Sequence, residues 1–267
     1  MAKPKQERWT RDQVLRALSL YCVLPFGRLH KANPDVIALA QELGRTPDAV
    51  AFKLTNLASF DPQHKARGVG GMANASRLDR EVWDEFYGHW DELAQAVPAP
   101  RERDGSVVPF ELPEGPTTTE RLLRVRRGQH FFRRAVLAAY DDRCCITGIS
   151  NPELLRASHI LPWAESEVNR LNPSNGLCLN ALHDAAFDRG LLTIDEESRV
   201  RLSPMLEKSM PREAYESHFE RYRHQTMRQP ERFAPDPVFL RSHRERSGRE
   251  AAALRRRATD GLPFQEA

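Results

Sequence analysis

Three stretches in the second half of the chain decide its reading. They are Ala157-Ser158-His159-Ile160-Leu161-Pro162-Trp163, Asn172-Pro173-Ser174-Asn175-Gly176-Leu177 and Leu182-His183-Asp184-Ala185-Ala186-Phe187-Asp188-Arg189-Gly190. Leu154 to Ile160 predicts a strand and Gly176 to Leu179 a second. Ala181 to Arg189 predicts a short helix that Gly190 stops. The order His, Asn, His therefore falls on strand, loop and helix. A neutral imidazole, with a pKa of about 6.5, suits removal of a proton from water at neutral pH. Hydrolysis of a phosphodiester needs such a base, an electrophile to neutralise developing charge, and a scaffold that holds both in line. An Asn in the connecting loop can brace the backbone between them.

Working outward, Cys145 to Gly148 suggests a short strand and turn. Leu191 to Asp195 and Arg199 to Ser203 predict a hairpin around Glu196-Glu197-Ser198. Upstream, Thr117 and Glu120 can cap a helix running to Tyr140. It carries Arg121, Arg124, Arg126, Arg127, Arg133 and Arg134, with Phe132, Val136, Leu137 and Tyr140 as its apolar part. Arg121, Arg124, Arg127 and Arg133 are by themselves a solvated helix face; beside a core that acts on DNA, a line of negative charge, they become candidate phosphate contacts. Beyond 204 the chain is Arg-rich and punctuated by Pro, which predicts one or two helices and a tail, with its role left open.

The first 95 residues read as helical. Thr10 with Gln13 forms a capping box, and Val14, Leu15, Leu18, Tyr21 and Cys22 fall on one face. Asn33-Pro34 and Thr46-Pro47 each start a helix, joined through Gly44-Arg45 in the proportions of a helix-turn-helix. Lys53 and Asn56 on the expected polar face of the second helix, with Arg45 just before it, are the candidate nucleic-acid contacts there. Ser76 and Asp79 start an amphipathic helix with Leu78, Val82, Trp83, Phe86, Trp90 and Leu93 on its apolar face. Residues 96–119 alternate Pro, Gly and charges and read as a linker. The expected organisation is a helical module at 1–95, a linker at 96–119, an α+β domain at 120–204 and an Arg-rich extension at 205–267.

Composition excludes several classes. Lys+Arg 40 against Asp+Glu 37 leaves +3, so the chain is neither a highly charged disordered polymer nor a histone-like protein. No apolar run approaches the roughly 18 residues of a membrane span, and the N-terminus lacks a secretory pattern. Cys22, Cys144, Cys145 and Cys178 form no CxxC pair and fit reduced thiols in the cytoplasm.

The region from about 120 to 203 resembles the HNH endonuclease family, whose core is the ββα-metal fold. It is most similar to the branch with Ser-His-Ile-x-Pro-Trp, Asn-Pro-x-Asn-Gly-Leu and His-x-x-x-Phe-Asp-x-Gly-Leu, and all three parts stand here in order. The resemblance implies that His159 is the general base, that Asn175 orients the loop and so the base, and that His183 binds a divalent ion, Mg²⁺ or a similar metal. Ser158 departs from the Asp or His that many relatives place before the base. A carboxylate must then help; Asp188 is preferred because the family pattern includes it, and Asp184 stays open. The structural zinc of some relatives needs two CxxC pairs and is not expected. The stretch from Leu43 to Asn56 resembles modules found ahead of HNH domains in restriction-type enzymes. The implied activity is metal-dependent hydrolysis of double-stranded DNA in restriction or defence. One site cuts one strand, so a double-strand break needs a homodimer or two visits, and the homodimer is preferred. The alternative is a non-catalytic DNA-binding regulator that keeps the HNH scaffold.

Overall fold

A computed structural model describes residues 8–68, 76–96 and 119–260. The expected linker lies outside the described residues from 97 to 118. The chain divides into two compact units. The first is residues 1–141 with 231–233, and the second is residues 142–230 with 234–267.

The first unit is helical. α1 (Arg11–Val23) opens on the expected Thr10–Gln13 capping box. α2 (Pro34–Leu43) starts where the Asn33 side chain accepts from Asp35 N, and it ends at Gly44 in the left-handed conformation, φ 63°. α3 (Pro47–Ala58) is capped by Thr46, and α4 (Pro62–Ala66) by Asp61. Val14, Leu18, Tyr21 and Cys22 of α1 are buried, as are Val50, Leu54 and Leu57 of α3. These stripes meet where α1 packs on α3.

The helix expected to run from Ser76 through Leu93 is two helices, α5 (Arg77–Phe86) and α6 (Trp90–Ala96). Gly88 between them takes φ 96°, which breaks the helix. The apolar stripe survives the break, because Val82, Trp83, Phe86, Trp90 and Leu93 are all buried. α7 (Thr119–Ala139), which the sequence groups with the α+β domain, packs on α1 and α6. Residues 231–233 close this unit. The fully buried Arg232 guanidinium donates to the carbonyls of Tyr21, Cys22 and Leu24. It satisfies orphan acceptors at the C-terminal end of α1.

The second unit is α+β. Residues 145–147 form a turn only, without the short strand expected there. β1 (Leu155–His159) pairs antiparallel with β2 (Gly176–Asn180), and the register sets His159 opposite Gly176. α8 (Ala181–Asp188) follows at once, capped by Asn180, and packs on both strands. β3 (Leu192–Ile194) and β4 (Val200–Leu202) form the predicted hairpin. The segment after 204 holds α9 (Pro204–Lys208), α10 (Arg212–His218) and α11 (Pro237–Asp260).

α11 is fastened to the ββα core. His243 stacks on Phe187 at 3.8 Å, and its Nε2 donates to the Phe187 carbonyl at 3.0 Å. Gly190 lies so close to α11 that an added Cβ would meet Ser247 at 2.7 Å, and its φ is 63°. Both facts require glycine at the end of α8. Among the described residues, no helix is long and apolar enough to cross a membrane.

Candidate active site

His159 is the last residue of β1, at the mouth of the long loop that returns to β2. Its Nε2 lies 2.9 Å from the Arg170 carbonyl oxygen. A carbonyl only accepts, so Nε2 carries the proton and Nδ1 the basic lone pair. Burial holds the imidazole below the ordinary histidine value, and the Arg170 carbonyl partly offsets it by favouring the protonated ring. Trp163 meets the His159 ring edge-on at 5.8 Å. Arg170 donates from Nε to the Trp163 carbonyl at 2.8 Å and lays its guanidinium over the Trp163 ring at 5.2 Å.

Asn175 is 1% exposed and clamps the base of this loop. Its Oδ1 accepts from Leu161 N at 2.8 Å, and its Nδ2 donates to the carbonyls of Leu161 at 3.2 Å and Asn169 at 3.1 Å. Its own carbonyl accepts from Ile160 N at 2.9 Å. These four bonds fall on the two residues after His159 or on the residue before its acceptor. From α11, Arg246 adds bonds to the Ile160 carbonyl at 3.3 Å and to Glu165 at 3.2 Å.

His183 is turned the other way. It is buried, and its Nε2 donates to the His218 carbonyl at 2.7 Å. Phe219 and Tyr222 pack on the ring at 5.1 and 5.6 Å. On its remaining side lie Asn180, at 3.5 Å from Nδ1, and Cys144. Burial pushes the Cys144 thiol up, but hydrogen bonding with His183 and Thr147 outweighs it and brings the thiol down to about 7. All four cysteines are buried free thiols.

The next residue of α8, Asp184, faces β1. Burial raises its carboxyl above the ordinary range, while Ser158 and Arg156 favour the charged form. The Ser158 hydroxyl is itself buried, with no partner in hydrogen-bond geometry. Asp188 is exposed at the last position of α8.

The candidate ligands His183 and Asp188 are thus not brought together, and no group of three or more His, Cys, Asp or Glu is gathered for a metal among the described residues. The donor set that does face the base-bearing strand is one carboxylate, Asp184, with the Ser158 hydroxyl beside it. Such a set fits a hard cation of the Mg²⁺ type, which commonly takes one or two carboxylates and keeps water and substrate phosphate in its other positions.

The expected DNA contacts divide. Arg124 and Arg127 are exposed on α7, whereas Arg133 is buried. The Arg121 side chain lies outside the described residues. Lys53 and Asn56 are not on an open polar face, being 5% and 4% exposed. They turn inward because Asp79 supplies a counter-charge, 2.6 Å from Lys53 Nζ. Arg45 is half-buried, donating to Gln13 Oε1 at 2.8 Å and lying over the Trp9 ring at 4.4 Å.

Sequence reasoning missed Arg170, Arg246 and His243. The first acts through a main-chain carbonyl, which no residue type signals. The other two lie in the segment that reads only as Arg-rich.

A family model described as HNH endonuclease matches residues 144–195, which span β1, the clamped loop, β2, α8 and β3. No curated protein matches the chain. The chain therefore carries, over residues 144–195, a domain of the HNH endonuclease family.

Proposed function

We propose that the protein is a metal-dependent DNA endonuclease in which His159 takes the proton from the attacking water. The observation that carries this reading is the bond from His159 Nε2 to the Arg170 carbonyl on a loop clamped by Asn175. It fixes the tautomer and aims a neutral, basic Nδ1. Asn175 is a positioning residue, since it touches only backbone. Asp184, with the Ser158 hydroxyl beside it, would hold the divalent ion. Bound there, such an ion would supply positive charge to the scissile phosphate and the leaving oxygen. His183 acts as a structural tie between α8 and the segment at 218–222. Arg124 and Arg127 on α7 supply exposed positive charge for the DNA backbone. Cytoplasmic location, action as a homodimer and a role in restriction belong to the same proposal.

The test is nicking of supercoiled plasmid with Mg²⁺ or Mn²⁺, comparing the protein with His159→Ala, and with DNA binding measured in chelator at stated salt. Loss of a general base costs about 10²- to 10⁴-fold in rate. Equal cleavage by both proteins would remove His159 from the role. A second reading is a DNA-binding regulator on an HNH scaffold, favoured by Ser158 standing where many relatives place a metal ligand before the base. Tight binding with no cleavage by either protein, on modified and unmodified DNA, would decide for it.

A further inference from the structure

The family match ends at residue 195, yet the loop that carries the base is also held from α11, which starts at Pro237. Ile160 directly follows His159 and is buried. Its main chain is gripped on both sides. The N–H donates to the Asn175 carbonyl at 2.9 Å, and the carbonyl accepts from Arg246 Nη2 at 3.3 Å. The other arm of the same guanidinium, Nη1, reaches Glu165 Oε2 at 3.2 Å. Arg246 thus ties two points of the loop, one beside the base and one further round. Its side chain is 17% exposed, so a charge that let go of these partners would stay poorly solvated. A planar fork suits the task, because it meets two acceptors in one fixed geometry.

The helix that carries this arginine is itself pinned. His243 stacks on Phe187 and bonds its carbonyl, and Ser247 packs against Gly190 where no Cβ fits. Between them, Arg244 donates to the Ile194 carbonyl at 2.8 Å and pairs with Glu196. The place of Arg246 is therefore set by α8 and by the β3–β4 hairpin. We infer that Arg246 is a positioning residue for the general base, and that α11 completes the nuclease. By holding the Ile160 carbonyl and Glu165, it keeps the loop closed so that His159 retains its bond to the Arg170 carbonyl. Both arms of the guanidinium are committed to the loop, so its role differs from a phosphate contact. The inference rests on His159 being the base.

The test compares Arg246→Gln with Arg244→Gln in the full chain. Each removes one anchor of α11, and both should melt lower, but only the first touches the base loop. Arg246→Gln should lower the single-turnover rate at saturating DNA by about 10- to 10²-fold, the cost of a misplaced reacting group. Its DNA binding, measured in chelator at fixed salt, should not change. Arg244→Gln should keep its rate. A second readout needs no cleavage. At about pH 8 the ring is neutral, and ¹⁵N NMR of the metal-free protein separates the two tautomers of His159. The signals are assigned by their loss in His159→Ala. The original protein should show the proton on Nε2 alone, and Arg246→Gln a mixture. An unchanged rate in Arg246→Gln, equal rate losses in both variants, weakened DNA binding, or one tautomer throughout overturns the inference. If the original protein cuts no DNA, the nuclease reading falls, and the tautomer comparison still decides for or against the positioning role. Should circular dichroism show that Arg246→Gln does not fold, Arg246→Lys takes its place. It keeps the charge but cannot span both partners, so the same losses should appear in smaller degree, and an unchanged rate and tautomer overturn the inference.

Discussion

The Nε2 atom of His159 sits 2.9 Å from the carbonyl oxygen of Arg170, eleven residues further along the same loop. One side of the imidazole is thereby committed to the backbone, and the ring cannot swap tautomers without losing that bond. Burial also keeps His159 below the ordinary histidine pKa. The two effects together supply a ring that is neutral, oriented and basic at Nδ1.

The pH profile of cleavage follows from that depressed pKa. A base works only when unprotonated, and the folded protein keeps His159 unprotonated to a lower pH than a free histidine. The single-turnover rate should stay level down to about pH 6.5 and fall only below it. A rate already falling tenfold per unit between about pH 8 and 7 would mean that another group titrates, or that His159 is not the base.

Asn175→Ala should lower both stability and rate. The substitution orphans the Leu161 N–H and removes the donor to the Leu161 and Asn169 carbonyls. Each buried group left unsatisfied costs about 1–3 kcal/mol. The loop carrying Arg170 would then release its hold on the base, so kcat should drop by about 10²-fold with little change in DNA affinity. Asn175→Asp should be no better, because a carboxylate cannot donate to either carbonyl. A normal rate in a destabilised Asn175→Ala protein would reduce this residue to a packing role.

The ligand set can be separated by three substitutions. Asp184→Asn should weaken Mn²⁺ binding to the protein–DNA complex by at least about tenfold, read by calorimetry or electron paramagnetic resonance. Asp188→Asn, at the exposed end of α8, should leave it unchanged. His183→Ala should lower the melting temperature, by removing the His218 tie, while metal affinity stays near its starting value. Loss of Mn²⁺ affinity in His183→Ala with Asp184→Asn unaffected would restore the assignment that the family pattern implies.

Much of the ββα core was legible because short-range signals set it. The strand pair, the helix stopped at Gly190 and the β3–β4 hairpin all lie within two residues of their predicted bounds, and Thr10, Asn33, Thr46 and Ser76 cap the helices they precede. What was not legible depends on direction around a helix and on partners far along the chain. His183 and Asp184 are neighbours, and a step of about 100° sends one into the core and the other toward β1. The sequence does not say which, because the deciding partner of His183 is a carbonyl 35 residues away. Lys53 reads as a polar-face residue for the same reason: its partner Asp79 stands 26 residues on, doubling as a helix cap.

The C-terminal helix should make the nuclease unit acid-sensitive through His243. Burial, with Arg244 and Arg246 nearby, brings His243 down to about 4, against the Phe187 carbonyl bond that favours its charged form. In the unfolded chain the ring titrates near its ordinary value of about 6.5. Below that value the unfolded state binds a proton that the folded state refuses, so stability is lost as pH falls from about 6.5 to 4, by up to ~3 kcal/mol. His159 is shifted the same way, so the His243 share must be isolated by substitution. His243→Gln keeps a donor for the Phe187 carbonyl but cannot titrate. Denaturant melts at about pH 7 and pH 4.5 should show the original protein losing more stability than His243→Gln, by ~2–3 kcal/mol. Equal losses would mean that His243 is protonated in the fold, and that its stack on Phe187 survives the charge.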